Sequence, residues 1–388
     1  MADHVRDAVV GLAPSGRVVD LFSGMGSVAE SLADTASVVT NDALSFTAAV
    51  SRARFTGISR STSPTDAIAR IEAAFLSRRD ELNAKYQKQL ETEASALADR
   101  DDLSEYMATA LHVGNSPKLA AAARRAAESS GSSHYELATL YFSAGYLGLA
   151  QAIEVDALRW AIDSDTVVAE RDWLLAGWLA ACSILVNAPG HTAQFLKPTT
   201  EAAAARITRI WRRSVWDELE GALASVAQVG SEAWRAENEV RIGEALDLVA
   251  GGGLRDVGAI YADPPYTKDQ YSRYYHMYET LYRYDYPSSS GAGRNRSDRF
   301  TTGFSLRSEV VASFHDLCRN VSRMHVPLIL SYPSNGLLLD AGYEFPAIAG
   351  LYFKNLDTVS LNREHSTMGG SSGSSKKKAI ENLYVCSN

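Results

Sequence analysis

The sequence predicts an α/β fold with an open sheet, interrupted by a large and mostly helical insertion domain. Two short apolar strands predict the sheet, because residues 17–22 run into a glycine turn and residues 259–262 run into a pair of prolines. Between residues 52 and 236, apolar residues instead recur at helical spacing, which predicts the insertion. We therefore expect residues 1–51 and 237–388 to form one discontinuous domain around the helical insertion of residues 52–236.

The first turn has the residue pattern of a nucleotide-binding crossover. Gly24 and Gly26 follow the strand, and Ala29 stands where a third small residue is expected. Glycine lets the backbone approach a ligand closely, but this pattern alone also fits a NAD or FAD site. The next strand ends at Asn41 and Asp42, which places a carboxylate where it can bind the two hydroxyls of a ribose.

The second turn is suited to holding a planar ring that carries an amino group. Prolines lack the N–H that a central strand needs, so Asp263-Pro264-Pro265-Tyr266 forms a stiff turn between a strand and a predicted helix. In an open α/β sheet such a turn faces the ligand crevice. Asp263 and the Pro264 carbonyl can each accept a hydrogen bond from an exocyclic NH2, and Tyr266 can stack on the ring.

These two turns resemble those of the S-adenosylmethionine-dependent DNA adenine N6-methyltransferases. That family has the catalytic tetrapeptide Asp/Asn-Pro-Pro-Tyr and a cofactor loop of the form D-x-F-x-G-x-G, which Asp20, Phe22, Gly24 and Gly26 match. The resemblance continues through Gln270-Tyr271, Tyr275-His276 and Glu279-Thr280. Its specific motifs lie in residues 17–50 and 237–388, and the cofactor motif precedes the insertion and the catalytic motif.

The resemblance implies a Rossmann-like methyltransferase sheet, S-adenosylmethionine as the cofactor and DNA with a flipped-out adenine as the substrate. The catalytic residues that it implies are Asp263, Pro264, Pro265 and Tyr266. The cofactor-binding residues are Asp20, Phe22, Gly24, Gly26, Asn41, Asp42 and Glu244. The substrate-binding residues that it nominates are Tyr271, His276, Ser331, Tyr332 and Asn335.

Basic residues in three segments predict contacts with a nucleic-acid backbone. Residues 288–299 combine glycine and serine with Arg294 and Arg296, which predicts a flexible basic loop; a solvated linker is the alternative. Four arginines within residues 206–213 recur at helical spacing, which predicts a helix that contacts phosphates. Salt bridges along the helix would explain the same arginines nearly as well. The lysines of residues 368–378 precede a predicted last strand. We interpret the insertion as a target-recognition or partner domain.

The implied chemistry needs positioning more than acid–base power. The lone pair of the adenine N6 amine is delocalised into the ring, so the amine is a poor nucleophile. Hydrogen bonds to Asp263 and to the Pro264 carbonyl favour the pyramidal amine, whose lone pair points at the cofactor methyl group. We therefore expect direct in-line transfer, with neither a covalent intermediate nor a metal.

Composition excludes several other classes of protein. The formal net charge of −8 argues against a uniformly basic nucleic-acid coat, but it allows a local basic patch. The three cysteines lack the paired spacing of a zinc site or a disulfide framework, which favours a reducing compartment. Since neither a signal sequence nor a charge-free apolar stretch of spanning length is present, we expect a cytoplasmic protein without membrane contact.

The sequence leaves alternative substrates open. The same turn could act on adenine in RNA or on the N4 amine of cytosine, and aspartate rather than serine at position 263 favours adenine. Protein glutamine methylases usually have asparagine there. An inactive DNA-binding module is a further alternative, but such a module does not need both turns intact. A partner protein from a restriction or defence system also fits this interpretation.

Overall fold

The described part of the chain comprises residues 1–365 and 377–388 of a computed structural model, and it divides into two units. The first unit contains residues 1–59, 228–272 and 300–388, and the second contains residues 60–227 and 273–299. Residues 273–299, which the sequence placed in the α/β domain, therefore cluster with the helical residues. Most of the predicted basic segment 368–378 lies outside the described residues.

The first unit is built on a seven-stranded sheet within the described residues, with the strand order β3-β2-β1-β4-β7-β9-β8. The first five of these strands are parallel, and β9 pairs antiparallel with both β7 and β8. The strands of the chain are β1 (Arg17–Asp20), β2 (Val38–Asp42), β3 (Glu239–Ile242), β4 (Val257–Ala262), β5 (Ser289–Ser290), β6 (Asn295–Arg296), β7 (Leu328–Pro333), β8 (Asn355–His365) and β9 (Lys377–Ser387). The predicted α/β fold is confirmed.

Apolar residues cover both faces of the sheet, as parallel strands require. On one face Val18, Tyr261 and Ile329 pack with the first helix of the chain, which the sequence did not predict. On the other face Ile260 and Leu330 pack against later helices. The helices of this unit are Ala2–Leu12, Ser27–Ser31, Ser45–Phe55, Glu232–Glu237, Ala245–Ala250, Val310–Arg323, Leu337–Asp340 and Phe345–Ala349, with Tyr271–Tyr274 at its boundary and a 3-10 turn at Gly303–Ser305.

The strand order reverses between β1 and β4, and this reversal locates the crevice. β1 is hydrogen-bonded to β2 on one side and to β4 on the other, and Asp20 pairs with Tyr261. In doubly wound sheets, ligands bind outside the carboxyl ends of the strands at such a switch point. Both turns singled out in the sequence begin at these carboxyl ends.

The second unit is helical apart from the short hairpin of β5 and β6. Its first helix has a local start signal: the Ser63 side chain accepts a hydrogen bond from the Asp66 N–H, and Pro64 lies in the first turn. The helices are Pro64–Lys85, Gln87–Ala96, Arg100–Thr109, Pro117–Glu128, Leu137–Tyr141, Leu149–Ser164, Arg171–Leu185, Glu201–Trp211, Val215–Ser225 and His276–Arg283, with 3-10 turns at Gly131–His134 and Val168–Glu170. Every helix in the described residues is too short or too polar to cross a lipid bilayer.

Candidate active site

The glycine turn after β1 has a backbone conformation that favours glycine and is closed by hydrogen bonds. Gly24 and Gly26 have φ angles of +49° and +82°, in the left-handed region that favours glycine. The Gly26 N–H donates to the Ser23 carbonyl at 2.8 Å, and the Ser23 N–H donates to the Asn41 carbonyl at 2.9 Å. A Cβ at Gly26 would lie 2.2 Å from the Phe55 ring, whereas a Cβ at Gly24 would meet no atom within 4 Å. The turn therefore needs glycine at position 26 and leaves open space beside Gly24.

The two residues at the end of β2 hold this turn against the sheet. Asp42 accepts hydrogen bonds from the Gly24 N–H at 3.0 Å and from the Leu44 N–H at 2.8 Å. The Asn41 side chain donates to the carbonyls of Leu21 and Gly243 at 3.0 and 3.1 Å. Asn41 is 1% exposed. It thus links the ends of β1 and β3, while Asp42 holds the glycine turn beside this link.

Asp20 is a buried carboxyl in an acidic environment. It is 2% exposed and accepts a hydrogen bond from the Phe22 N–H at 3.3 Å. Burial raises its pKa well above the usual value, and the charges of Asp263 and Asp42 raise it further against the opposing effect of the Phe22 hydrogen bond. The two turns are therefore close enough for their carboxyl groups to interact, and a cation bound here would be stabilised.

Replacing Asp20 with asparagine should stabilise the ligand-free protein near neutral pH. The folded-state pKa of Asp20 is raised, so wild-type stability is lost as the pH rises through that pKa, and the asparagine variant avoids this loss. Each unit by which the pKa is higher in the folded than in the unfolded state costs about 1.4 kcal/mol of stability once the pH exceeds both values. Thermal unfolding without cofactor, from about pH 5 to about pH 8, should show that the variant is more stable than wild type and that this difference increases with pH.

Asp34 provides a control, because replacing it with asparagine should change the stability in the opposite direction. It is exposed, and hydrogen bonds from Ser231 lower its pKa. Asp34→Asn should therefore lower stability near neutral pH, and this loss should vanish as the pH falls through the folded-state pKa. A stabilisation of Asp20→Asn that grows on acidification would contradict the raised pKa of Asp20.

The proline turn continues β4 into the same edge of the sheet. Asp263 is exposed, Pro264 and Pro265 are buried, and Tyr266 is half-buried. The Tyr266 carbonyl accepts a hydrogen bond from the Leu337 N–H at 2.8 Å, which fixes the end of the turn. Burial raises the pKa of Tyr266, and the charges of Glu381 and Asp263 add to this effect. The Tyr266 hydroxyl is therefore neutral, and its ring lies near the carboxylate of Asp263.

The residues nominated after β7 have different environments. Asn335 is exposed in the turn that follows β7, at the same edge as the proline turn. Ser331 is buried, and its hydroxyl donates to Glu381 at 3.1 Å. Tyr332 is 4% exposed, packs edge-on against Phe314 and accepts the Leu338 N–H at 3.1 Å. The Tyr332 ring belongs to the hydrophobic core, and its role in substrate binding stays a prediction.

Glu381 was not predicted from the sequence. It lies on β9, is 6% exposed and pairs in register with Pro333. Its charge acts on both Tyr261 and Tyr266. A single acid in the last strand carries no motif, and the antiparallel pairing of β9 with β7 brings it to this edge.

Glu244 caps the helix that follows β3. Its carboxylate accepts hydrogen bonds from the backbone N–H groups of Leu246 and Asp247. Burial raises its pKa, while these bonds and one from the Thr302 side chain oppose the rise. Tyr271 is half-buried at the start of the short helix Tyr271–Tyr274. Glu244 therefore lies at the carboxyl end of β3, one strand away from Asp42.

Three nominated residues lie buried inside the second unit. His276 is fully buried beside the Tyr146 hydroxyl, 3.2 Å from its Nε2, and burial lowers its pKa to about 3. Arg294 is 3% exposed and donates to the Tyr141 carbonyl at 3.0 Å, and burial lowers its pKa to about 10. Arg296 is 2% exposed and is paired with two aspartates, Asp285 and Asp298. All three side chains are thus enclosed within the unit, and their role as substrate contacts stays a prediction.

The prediction of a flexible basic loop at residues 288–299 is wrong. Ser289 and Ser290 pair antiparallel with Arg296 and Asn295, so the segment is a hairpin. In the arginine-rich helix, by contrast, Arg209 and the adjoining Arg212 are exposed. Their contact with a nucleic acid stays a prediction.

Comparisons with known proteins show that the chain is similar to DNA methyltransferases. Residues 246–327, which include the proline turn, match the family model of the D12 class N6 adenine-specific DNA methyltransferases. The chain is 28% identical over 246 residues to modification methylase LlaI of Lactococcus lactis subsp. lactis, covering 61% of this chain and 36% of that protein. It is 35% identical over 86 residues to type II methyltransferase M.FokI of Planomicrobium okeanokoites, covering 22% and 13%.

A third relative is modification methylase StsI of Streptococcus sanguinis, at 24% identity over 201 residues that cover 50% of this chain and 27% of that protein. The chain therefore spans about a third or less of the length of these relatives. The resemblance to DNA adenine N6-methyltransferases that the two turns predicted is confirmed.

Proposed function

We propose that this protein is a site-specific DNA methyltransferase that transfers the methyl group of S-adenosylmethionine to the N6 amine of adenine, within a restriction-modification or defence system. The proposal rests on the position of the glycine turn and the proline turn at the same edge of the sheet. Adjacent strands β1 and β4 bring Asp20 and Asp263 to one edge of the sheet, close enough for their charges to interact. The D12-class match across the proline turn supports adenine N6 as the acceptor.

The residues at the switch point fit S-adenosylmethionine. Open space beside Gly24 allows a ligand to approach the backbone closely. The Asp42 carboxylate is oriented by two backbone N–H groups and can accept the ribose hydroxyls. Asp20 is destabilised as an anion, so a positively charged ligand would lower the cost of its ionisation. The bound cofactor would supply an electrophilic methyl group on a sulfonium centre.

The proline turn would hold the acceptor amine. Asp263 is exposed at the edge of the sheet, where its carboxylate can accept a hydrogen bond from one N–H of the N6 amine. The Pro264 carbonyl can accept a hydrogen bond from the other N–H. These bonds favour the pyramidal amine and direct its lone pair along the line of transfer. The half-buried Tyr266 would stack on the extruded base and replace its lost neighbours.

The helical unit would recognise the target sequence or bind a partner protein. The exposed Arg209 and Arg212 are suited to contacts with phosphates, which position a protein on DNA without reading its sequence. In this proposal the first unit performs the transfer.

Mapping of modified bases at single-nucleotide resolution tests the proposal. DNA from cells that express the protein should carry N6-methyladenine in one sequence context, and DNA from cells with an empty vector should not. Purified protein, S-adenosylmethionine and unmodified DNA should reproduce the same pattern. Methylation of RNA alone, or of cytosine N4, would contradict adenine in DNA as the substrate.

A further inference from the structure

Residues 300–305, which we call the strap, are hydrogen-bonded to the segment that follows the proline turn. The Thr302 N–H donates to the Gln270 side-chain oxygen at 3.0 Å, and the Gln270 side-chain NH2 donates back to the Thr302 carbonyl at 3.2 Å. Ser305 donates to the Asp269 carbonyl at 3.3 Å, and Ser272 donates to the Phe300 carbonyl. Four bonds thus fix the strap along residues 269–272.

The same strap also contacts two residues of the proposed cofactor site. The Thr302 side chain lies close enough to Glu244, the acid at the end of β3, to lower the pKa of its carboxyl group. The fully buried Phe304 ring lies edge-on against Phe22 of the glycine turn, with 5.5 Å between the ring centroids and 90° between the planes. Thr302 is itself 5% exposed, and Gln270 satisfies its buried backbone N–H.

We propose that Gln270 and Thr302 are positioning residues, which hold the cofactor residues Glu244 and Phe22 in register with the catalytic turn. This inference rests on the proposed function. Gln270 lies four residues after Tyr266, and its side chain is bonded to the strap that reaches Glu244 and Phe22. Cofactor affinity and methyl transfer should therefore depend on the same pair of side chains.

A purely structural role predicts a different outcome. Loss of a buried hydrogen bond lowers stability wherever it occurs, but it changes ligand affinity only when it moves a ligand-binding group. The first unit offers a matched control in Asn238. Its side chain accepts the Val38 N–H at 2.8 Å and donates to the Phe55 carbonyl at 2.9 Å, at the amino ends of β2 and β3.

The test measures S-adenosylmethionine affinity by calorimetry, and methyl transfer at saturating cofactor, for Gln270→Leu, Thr302→Val, Thr302→Ser and Asn238→Leu. Gln270→Leu and Thr302→Val should each weaken cofactor affinity by about tenfold and also slow transfer. Thr302→Ser keeps the hydroxyl and should bind like wild type. Asn238→Leu should lower the unfolding temperature while cofactor affinity stays unchanged.

The outcomes separate the two proposals. Wild-type affinity and rate in both Gln270→Leu and Thr302→Val would overturn this inference, and so would an equal loss of affinity in Asn238→Leu. If Gln270→Leu does not fold, the comparison of Thr302→Val with Thr302→Ser decides. A wild-type protein that does not bind S-adenosylmethionine would overturn the proposed function, and this inference with it.

Discussion

The Asp263→Ala variant should lose methyl transfer by about a thousandfold or more, while its cofactor affinity changes by less than about tenfold. Asp263 is the exposed acid of the proline turn, and its carboxylate would accept a hydrogen bond from the amine that is methylated. Without that acceptor the amine keeps its lone pair in the ring, and the base is held less firmly in line with the methyl group. Since Asp263 is exposed, the loss of its charge should have only a small effect on a bound cation.

Single-turnover methylation of a DNA duplex with saturating S-adenosylmethionine measures this loss, and calorimetry measures cofactor affinity. Asp263→Asn is the matched control, because its side-chain oxygen still accepts a hydrogen bond and the related family tolerates asparagine at this position. We expect it to retain more activity than Asp263→Ala. A near-normal rate in the alanine variant would remove Asp263 from the catalytic role.

The Gly26→Ala variant should lose cofactor binding and much of its stability. The added Cβ would lie 2.2 Å from a Phe55 ring carbon, and the residue would be held at a φ of +82°. Steric overlap in a packed site and a left-handed conformation each cost about 1 to 3 kcal/mol. Relief of the overlap must shift either the Phe55 ring or the glycine turn itself, so the turn loses the geometry that a ligand requires.

Thermal unfolding and cofactor titration should both register this change. Gly24→Ala is the control, because position 24 also has a positive φ but a Cβ there meets no atom within 4 Å. We expect Gly24→Ala to fold with a smaller loss of stability, although its Cβ would occupy space that the cofactor needs. A Gly26→Ala protein as stable as Gly24→Ala would show that Phe55 does not restrict the turn.

The sheet edge could be predicted because its signals are local. Glycine and proline act on their own backbone, so the turns after β1 and β4 are readable wherever the rest of the chain lies. The same holds for the helix start at Ser63, where the cap and its partner are three residues apart.

The buried arginines could not be predicted in this way. Glycine and serine around Arg294 are typical of a mobile loop, but the carbonyl that accepts from its guanidinium belongs to Tyr141 in a distant part of the sequence. The burial of Tyr332 was missed for a related reason, since its ring packs against Phe314 of a separate helix. In both cases, residues that are distant in sequence determine whether the polar end of the side chain is exposed to solvent, and no local pattern encodes them.

The order of strands in the sheet also affects how the protein is made. Val18 pairs with Ala259, so β1 leaves the ribosome long before its central neighbour β4 exists. At typical elongation rates the interval is on the order of ten seconds or more. During this time one edge of an apolar nascent strand is open to aggregation, while the helical segment is synthesised in between. We therefore expect the yield of folded protein to depend on chaperones that shield the N-terminal residues until β4 emerges.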